Sequence, residues 1–474
     1  MITQLAKQYQ VSRPFIYSLL LQFKTALGHL VFPENAPATL SMASIEARIL
    51  AQRFEGRSSI AGIATLMKRE GLPYSSMGFI SQTLARLGDA LPNVLRNEKT
   101  QTHTLVFADD EVFAKSSPIL ITVDPVSSAI LSIELVEQRT AEKWVNHLGC
   151  LVNNGFAPRL LTSDAGTAIK AAHDKVFTDI PWQLDTFHGI AHRLGDWDQR
   201  LESSAYAAIE AVDKRANTLA SAKSDAVIEK RLTLCFDADE KAQQAIDCYD
   251  DFHYLYQHLI HQLNSFDSTG KPRPRDQAEE NMTAALALMT SLDHQTIAKE
   301  AVLIKKTLPD LLTYFDDAAI AFEKCQHLTR NEDAMHALIL AWQWNKGVIK
   351  SKVTARKHNA IKQRQCYLEL AELFMGDKAA MITLKASIYA ELDQIIQASS
   401  MVECINSILR PYLNSSKNQV TQGFLNTFMF YHNHRRYQAG KRKGKTPMEL
   451  LTGQSQTEDW IILLQSAVKN PLNR

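Results

Sequence analysis

The sequence has no closely spaced cysteines, no long apolar run and almost no net charge, and each absence removes a class of protein. Its six cysteines, Cys150, Cys235, Cys248, Cys325, Cys366 and Cys404, stand far apart. Without the C-x-x-C spacing of a zinc knuckle or a redox couple, they read as free thiols of a reducing compartment. No apolar stretch approaches the roughly 18 residues that a bilayer-spanning helix needs, and the start, Met1-Ile-Thr-Gln-Leu-Ala-Lys7, lacks the basic-then-apolar pattern of a secretion signal. A soluble, cytoplasmic chain with no membrane partner is expected. A formal charge of +1, from 52 Lys and Arg against 51 Asp and Glu, excludes a surface coated with one sign. Any nucleic-acid contact must then come from local basic segments.

What remains is ordinary globular material, 474 residues of which 45% are hydrophobic and 22% charged, enough for about two to four domains. Residues 1–100 read as short helices. Leu5 to Tyr17 contains a helix, a turn, Ser12 as a cap and Pro14 in the first turn of the next helix, which is helix-turn-helix grammar. A second copy is expected from helices near 44–55 and 58–70, the breaker Gly71-Leu72-Pro73, and a helix capped by Ser75 or Ser76 that runs to about Leu87. Such units would read DNA with Ser12, Arg13, Gln82 and Arg86. A plain helical bundle carries the same local pattern.

Residues 101–192 change character. The β-branched, apolar runs His103 to Asp109, Pro118 to Asp124 and Ala129 to Leu135 predict three consecutive antiparallel strands. A helix over about 140–154, a strand Arg159 to Asp164, a helix from about Gly166 and a strand near Trp182 to Asp185 follow. This α/β order, β-β-β-α-β-α-β, is that of a ribonuclease H-like core with a mixed sheet. Residues 193–396 show 3.6-residue apolar spacing and predict an all-helical insertion domain. Residues 397–453 return to the core with a helix around Glu403 and a basic segment after His432, and 454–474 read as a C-terminal tail.

Three segments carry candidate chemistry. Phe107-Ala-Asp-Asp-Glu-Val-Phe113 sets acids inside an apolar strand, where a buried carboxylate must be paired or neutralised; alternation puts Asp109 and Asp110 on opposite faces. The plain alternative is a strand end in solvent. Asp164 ends a short apolar strand, where α/β folds concentrate their sites, or else caps the following helix. Glu403, Asn406 and Arg410 share a helix face beside the apolar stripe Val402, Ile405 and Leu409, and a solvated face would look the same. Together, three carboxylates from distant parts of the chain are the hard oxygen donors that Mg²⁺ favours, and two such ions promote phosphodiester chemistry.

In type, order and spacing these residues resemble the DDE transposases of bacterial insertion sequences whose ribonuclease H-like core is interrupted by a helical insertion. Ala108-Asp-Asp-Glu-Val-Phe113 is similar to the family's first-Asp phrase and favours Asp110, although the doubled acid leaves the choice open by one residue. Ser163-Asp164-Ala165-Gly166 matches the second phrase and Val402 to Arg410 the third, and Asp164 and Glu403, 239 residues apart in sequence, leave room for the insertion. Asp185-Thr-Phe-His188 resembles a further signature of this group, and Asn433-His-Arg-Arg436 leading to Gly444-Lys-Thr-Pro-Met-Glu-Leu450 resembles its C-terminal end. The likeness covers about residues 103–453.

That resemblance implies a polynucleotidyl transferase in which Asp110, Asp164 and Glu403 hold two Mg²⁺ ions, with Mn²⁺ able to substitute, while Asp185, His188 and Asn406 position the site or the DNA. Water would cut at the transposon end, and the freed 3′-hydroxyl would attack target DNA. Partners would be double-stranded terminal-repeat and target DNA and a second copy of the chain, a homodimer or higher oligomer on paired ends. Arg356 and Lys357 in the insertion, Arg410, and Arg435, Arg436, Lys441, Arg442 and Lys443 near the C-terminus would track phosphates; Trp342 or Trp344 would stack on a displaced base or sit in a helical core. His188 and His192 lack the intervening Glu of a zinc peptidase. A catalytically degenerate helix-turn-helix regulator and a nuclease that never joins ends are the competing expectations.

Overall fold

The computed structural model describes residues 2–31, 41–164, 166–350 and 353–469; Ala165 of the Ser-Asp-x-Gly phrase and the last five residues of the expected tail lie outside them. The chain divides into two compact units, one running to Leu91 and resuming at Glu458, the other spanning Pro92–Thr457.

The first unit is helical. Its elements are α1 (Ile2–Gln8), α2 (Arg13–Val31), α3 (Met42–Leu50) continued by a π-helical turn Ala51–Glu55, α4 (Ile60–Arg69) and α5 (Met77–Asp89). Ser41, Ser59 and Ser76 cap α3, α4 and α5, each side chain accepting a backbone N–H three residues on, which satisfies one of the amides left open at a helix start. Ile45, Ile49, Ile63, Met67 and Ile80 form the core. The expected C-terminal tail is part of this unit. Its helix Trp460–Lys469 docks through Trp460, whose indole N–H donates to Glu55 Oε1 at 2.9 Å, and through Gln465, bonded to the Ala43 carbonyl. Ten apolar-rich residues are too few for a free-standing helix, so the tail folds only by burying this face.

The second unit is built on a five-stranded mixed sheet. After β1 (His103–Ala114), β2 (Ser117–Val123) and β3 (Ile130–Leu135) come α6 (Ala141–Asn153), β4 (Phe156–Ser163), α7 (Thr167–Val176) and β5 (Trp182–Leu184). The strand order is β3-β2-β1-β4-β5, antiparallel for β1-β2 and β2-β3, parallel for β1-β4 and β4-β5. β1 runs past both aspartates to Ala114, so the acids lie inside the strand and not at a solvated end. β4 begins at Phe156, earlier than the expected Arg159; Pro158, which has no N–H for the ladder, stands opposite Leu105, and the register shift that follows passes over Arg159.

A short π-helical turn, Phe187–Ala191, then leads into the helices α8 (His192–Ala220), α9 (Asp225–Gln262), α10 (Arg275–Thr290), α11 (Gln295–Leu311), α12 (Tyr314–Leu328), α13 (Glu332–Lys350), α14 (Thr354–Met375) and α15 (Lys378–Leu392). This segment is all-helical as expected, apart from one isolated bridge between Phe266 and Pro272. Its core, with Phe252, Met282, Ile304, Phe315, Leu338 and Ile388, extends to Leu184 of β5, so insertion and sheet share one apolar body.

The chain returns through α16 (Ser400–Ser415), α17 (Gln422–His434) and α18 (Pro447–Thr452). α16 packs on β1 and β2, and α17 on β3. Polar side chains of α17 satisfy part of the outer edge of β3. Gln422 receives the Leu135 N–H and donates to the Ile133 carbonyl, and buried Asn433 does the same for both backbone groups of Ile130 at 2.9 Å. Together with residues 93–95, which pair antiparallel with β3 at Ser132 through Leu95 N–H to the Leu131 carbonyl and Ile133 N–H to the Asn93 carbonyl, these amides close the edge of the sheet. Asn433→Ala therefore orphans two buried backbone groups, each worth roughly 1–3 kcal/mol; chemical denaturation should show a loss of about 2 kcal/mol or more, and an unchanged midpoint would contradict this role.

Candidate functional site

The alternation of β1 sends its two aspartates to different faces. Asp109 is fully buried toward α6 and α7, where it accepts from Thr122 Oγ1 and pairs with His173 Nε2 at 2.8 Å. Thr122 in turn meets His147, and His147 meets Glu134. Asp110 turns toward α16. Its Oδ2 accepts from Asn406 Nδ2 at 2.8 Å and its Oδ1 from the Glu111 N–H. Burial pushes the Asp110 carboxyl up to about 7, the Glu111 N–H opposes this, and repulsion from Asp164, Glu111 and Glu403 adds to it. Asp110 thus feels the charges of Asp164 and Glu403, whereas Asp109 lies on the opposite face of the strand.

Asp164 follows directly on β4, and its Oδ1 accepts the Gly166 N–H at 2.9 Å in a local turn. A Cβ at Gly166 would fall 2.9 Å from that oxygen, at the movable end of the Asp164 side chain. Glu403, in the first turn of α16, pairs with His188 Nε2. His188 lies in the π-helical turn after β5, a helical irregularity that often marks functional positions. Burial lowers the His188 pKa, but the hydrogen bond to Glu403 and the charges of Asp185, Glu403 and Asp164 outweigh it, and the net shift is upward.

Asp185 holds this arrangement together. It is 1% exposed, and its Oδ1 accepts the N–H groups of Phe187 and His188 while its Oδ2 accepts the N–H and hydroxyl of Ser399 at 2.8 and 2.6 Å. Thr186 adds two bonds to the Gln397 carbonyl. One carboxylate thus fixes the turn that carries His188 and the start of the helix that carries Glu403. The Asp-x-x-His spacing hinted at this residue; its partner Ser399 carries no sequence signal beyond standing just before a helix.

Two cavities flank the π-helical turn. One of 420 Å³ is lined by Asp164, His188, His192, Arg193 and Thr307. The other, of 510 Å³, is lined by Phe187, Trp344, Lys346, Tyr367 and Gln397 among others. Trp342 belongs to the core: it is 4% exposed, packs edge-on against Phe266 and donates to Asp393.

Of the residues expected to contact DNA, Ser12, Arg13, Gln82, Arg356, Lys357, Arg410 and Lys443 are exposed. Arg86 pairs with Glu46, Lys441 with Asp393 at 3.0 Å, and Arg435 lies over the Tyr431 ring. Arg436 and Arg442, expected to track phosphates, are engaged inside the chain. Arg436 meets both oxygens of Glu449 at 3.1 Å and the Gly444 carbonyl at 2.7 Å, while Arg442 donates to the Pro125 and Val126 carbonyls. The Thr-Pro-x-Glu phrase explains itself: Thr446 and Glu449 form a capping box, with Pro447 opening α18 and Gly453 ending it at φ 76°.

Among the described residues, no three His, Cys, Asp or Glu side chains are grouped closely enough to hold a metal ion, and none of the helices is long and apolar enough to cross a membrane. Compared with known proteins, the sequence matches no family model and no curated protein.

The raised Asp110 pKa has a thermodynamic consequence. A carboxyl whose folded pKa lies above its unfolded value of 3.8 costs stability as pH rises from about 4, and the full cost is reached above about 7. Asp110→Asn is therefore expected to raise Tm at pH 8 in chelator-containing buffer, by an amount that shrinks toward pH 4. A thermal melt series across that range checks the sign; a variant less stable than wild type at pH 8 would refute it.

Proposed function

We propose that this chain is a DDE-type DNA transposase, which binds transposon terminal repeats and catalyses strand cleavage and strand transfer. The observation that carries the reading is that Asp110 turns toward the helix of Glu403 and feels the charges of Asp164 and Glu403, while neighbouring Asp109 turns to the opposite face. The element order β-β-β-α-β-α-β, interrupted by helices between Asp164 and Glu403, supports a ribonuclease H-like core, and the capped helices α3 to α5 support a DNA-reading region.

The donor set suits a divalent cation. Asp110, Asp164 and Glu403 are hard oxygen donors that act on one another electrostatically, Asp164 and Glu403 each adding to the upward displacement that burial gives Asp110. Asp110, Asp164 and Glu403 would hold Mg²⁺, and the bound ions would supply Lewis-acid stabilisation of the attacking and leaving oxygens. Asn406 fixes one oxygen of Asp110 and so orients the carboxylate. His188, protonated at Nε2, holds Glu403 in the absence of the ions. Asp185 sets the spacing between the two. Arg356, Lys357, Arg410 and Lys443 supply exposed cations for phosphates, and the cavity beside Phe187 offers Trp344 and Tyr367 to an unstacked base.

Two measurements test the reading. Purified protein with flanking inverted-repeat DNA and Mg²⁺ should cleave and join ends, and Asp164→Ala and Glu403→Ala should each abolish both steps. Cleavage without joining would mark a nuclease, and DNA binding without cleavage a regulator. Independently, Mg²⁺ should raise the Tm of the wild type by relieving carboxylate repulsion and leave Asp164→Asn nearly unmoved; equal shifts in both proteins would remove Asp164 from the site.

A further inference from the structure

Helices α8 and α9 pack on each other as an arm whose outer part is not built into the core. Leu201 and Ala205 of α8 and Ala242 and Phe252 of α9 are buried, and between Ala205 and Ala242 no residue is. Charge is sorted along this arm. Residues 196–213 and 232–251 carry eleven acids and two basic residues, whereas residues 214–231, at the tip, carry five basic residues and two acids. The near-zero net charge of the whole chain hides this reversal.

The tip holds a cleft of 390 Å³, where Arg215 of α8 and Lys230 and Arg231 of α9 stand with Ala226, Val227 and Leu234, and no acid lines it. Arg231 is fixed there, its Nη1 donating to the Thr218 carbonyl and to Ser221 Oγ, and it thereby closes the open end of α8. That structural task does not extend to Arg215 and Lys230, which are exposed. No Asp or Glu stands three or four residues from either of them, so neither has on its own helix the kind of neighbour that Glu210 provides for Lys214. Three cations beside apolar surface attract a polyanion, and the planar fork of arginine matches phosphate oxygens. The acidic flanks repel the same polyanion, so a duplex would cross the tip rather than lie along the arm.

The arm also sets a distance. α8 begins at His192, which lines the cavity of Asp164, and Arg215 follows 23 residues later, about 35 Å along the axis at about 1.5 Å per residue. That is about one turn of B-form DNA.

We propose that the arm tip is a sequence-independent clamp on the phosphodiester backbone of duplex DNA, with Arg215 and Lys230 contacting phosphates within about one helical turn of the candidate site. The assignment rests on the reading of the chain as a DNA-processing protein, but its first test uses neither metal nor cleavage. Affinity of the full chain for a duplex of arbitrary sequence, measured in chelator over a range of salt concentrations, counts the phosphates neutralised, at about 0.9 in logarithmic slope for each. R215Q/K230Q should weaken binding about tenfold or more near 0.1 M salt and lower the slope by about two, with an unchanged far-UV spectrum. Lys241→Gln, exposed on the acidic flank, should change neither. On flanking inverted-repeat DNA, ethylation interference should disappear in the double variant at phosphates within about ten base pairs of the cleaved position. A double variant with the slope of the wild type overturns the proposal. So does release of the duplex by inorganic phosphate at constant ionic strength, since the cleft would then be a free-phosphate site. A wild type that shows the full effect of the tip yet never cleaves supports the clamp and removes the catalytic reading.

Discussion

The candidate site depends on one buried carboxylate. Asp185 and Ser399 are separated by the entire helical insertion, and the two bonds from Ser399 to Asp185 Oδ2 make the chain re-enter the sheet where it left. With the two bonds from Thr186 to the Gln397 carbonyl, they hold the first turn of α16 beside the turn after β5. A carboxylate this deeply buried is tolerated because four donors surround it, so its charge is solvated by the protein in place of water. The insertion's core reaches to Leu184 one residue away, and apolar packing therefore holds the clasp from beneath.

A second constraint acts on the acids themselves. Two adjacent aspartates within a strand cannot share an environment, and this chain solves each one differently. Asp109 is closed into a dry network with His173 and Thr122. Its partners lie on β2 and α7, so it ties the strand before the site to the helix that starts just after Asp164. Asp110 receives only neutral donors, Asn406 and a backbone amide, and faces other acids. A paired carboxylate serves architecture; Asp110, buried without a cationic partner and beside other acids, is pushed up to about 7, mainly by burial and further by its neighbours' charge.

Much of this was legible in the sequence because it is local. The alternating runs of β1, β2 and β3, the cap at Ser76, and Asp164 at the end of an apolar strand follow from periodicity and turn chemistry, and each element stands within a few residues of its expected place. The choice between Asp109 and Asp110 was not legible, since motif register distinguished them by one position while their partners come from α7 and α16, remote in sequence. The apolar stripe of α16 marked which face of that helix would bury, yet not that Asn406, 3% exposed, would be spent on Asp110. The tail read as an appendage because a short apolar helix carries no sign of what it docks against.

The C-terminal segment shows why a basic run is a weak indicator of nucleic-acid contact. Its cations look alike in sequence, but Arg436 is absorbed by Glu449 and backbone carbonyls, and Arg442 by the turn between β2 and β3. A planar guanidinium with five donors serves well for gathering carbonyls at a chain reversal, a task that the single ammonium of lysine performs poorly. In this segment Arg436 and Arg442 each gather several carbonyl or carboxylate oxygens, while Lys443 remains exposed. Cations available to phosphates are thus better sought among exposed side chains such as Lys443, Arg356 and Lys357 than by the density of positive charge along the sequence, and the near-neutral net charge of the chain conceals rather than excludes them.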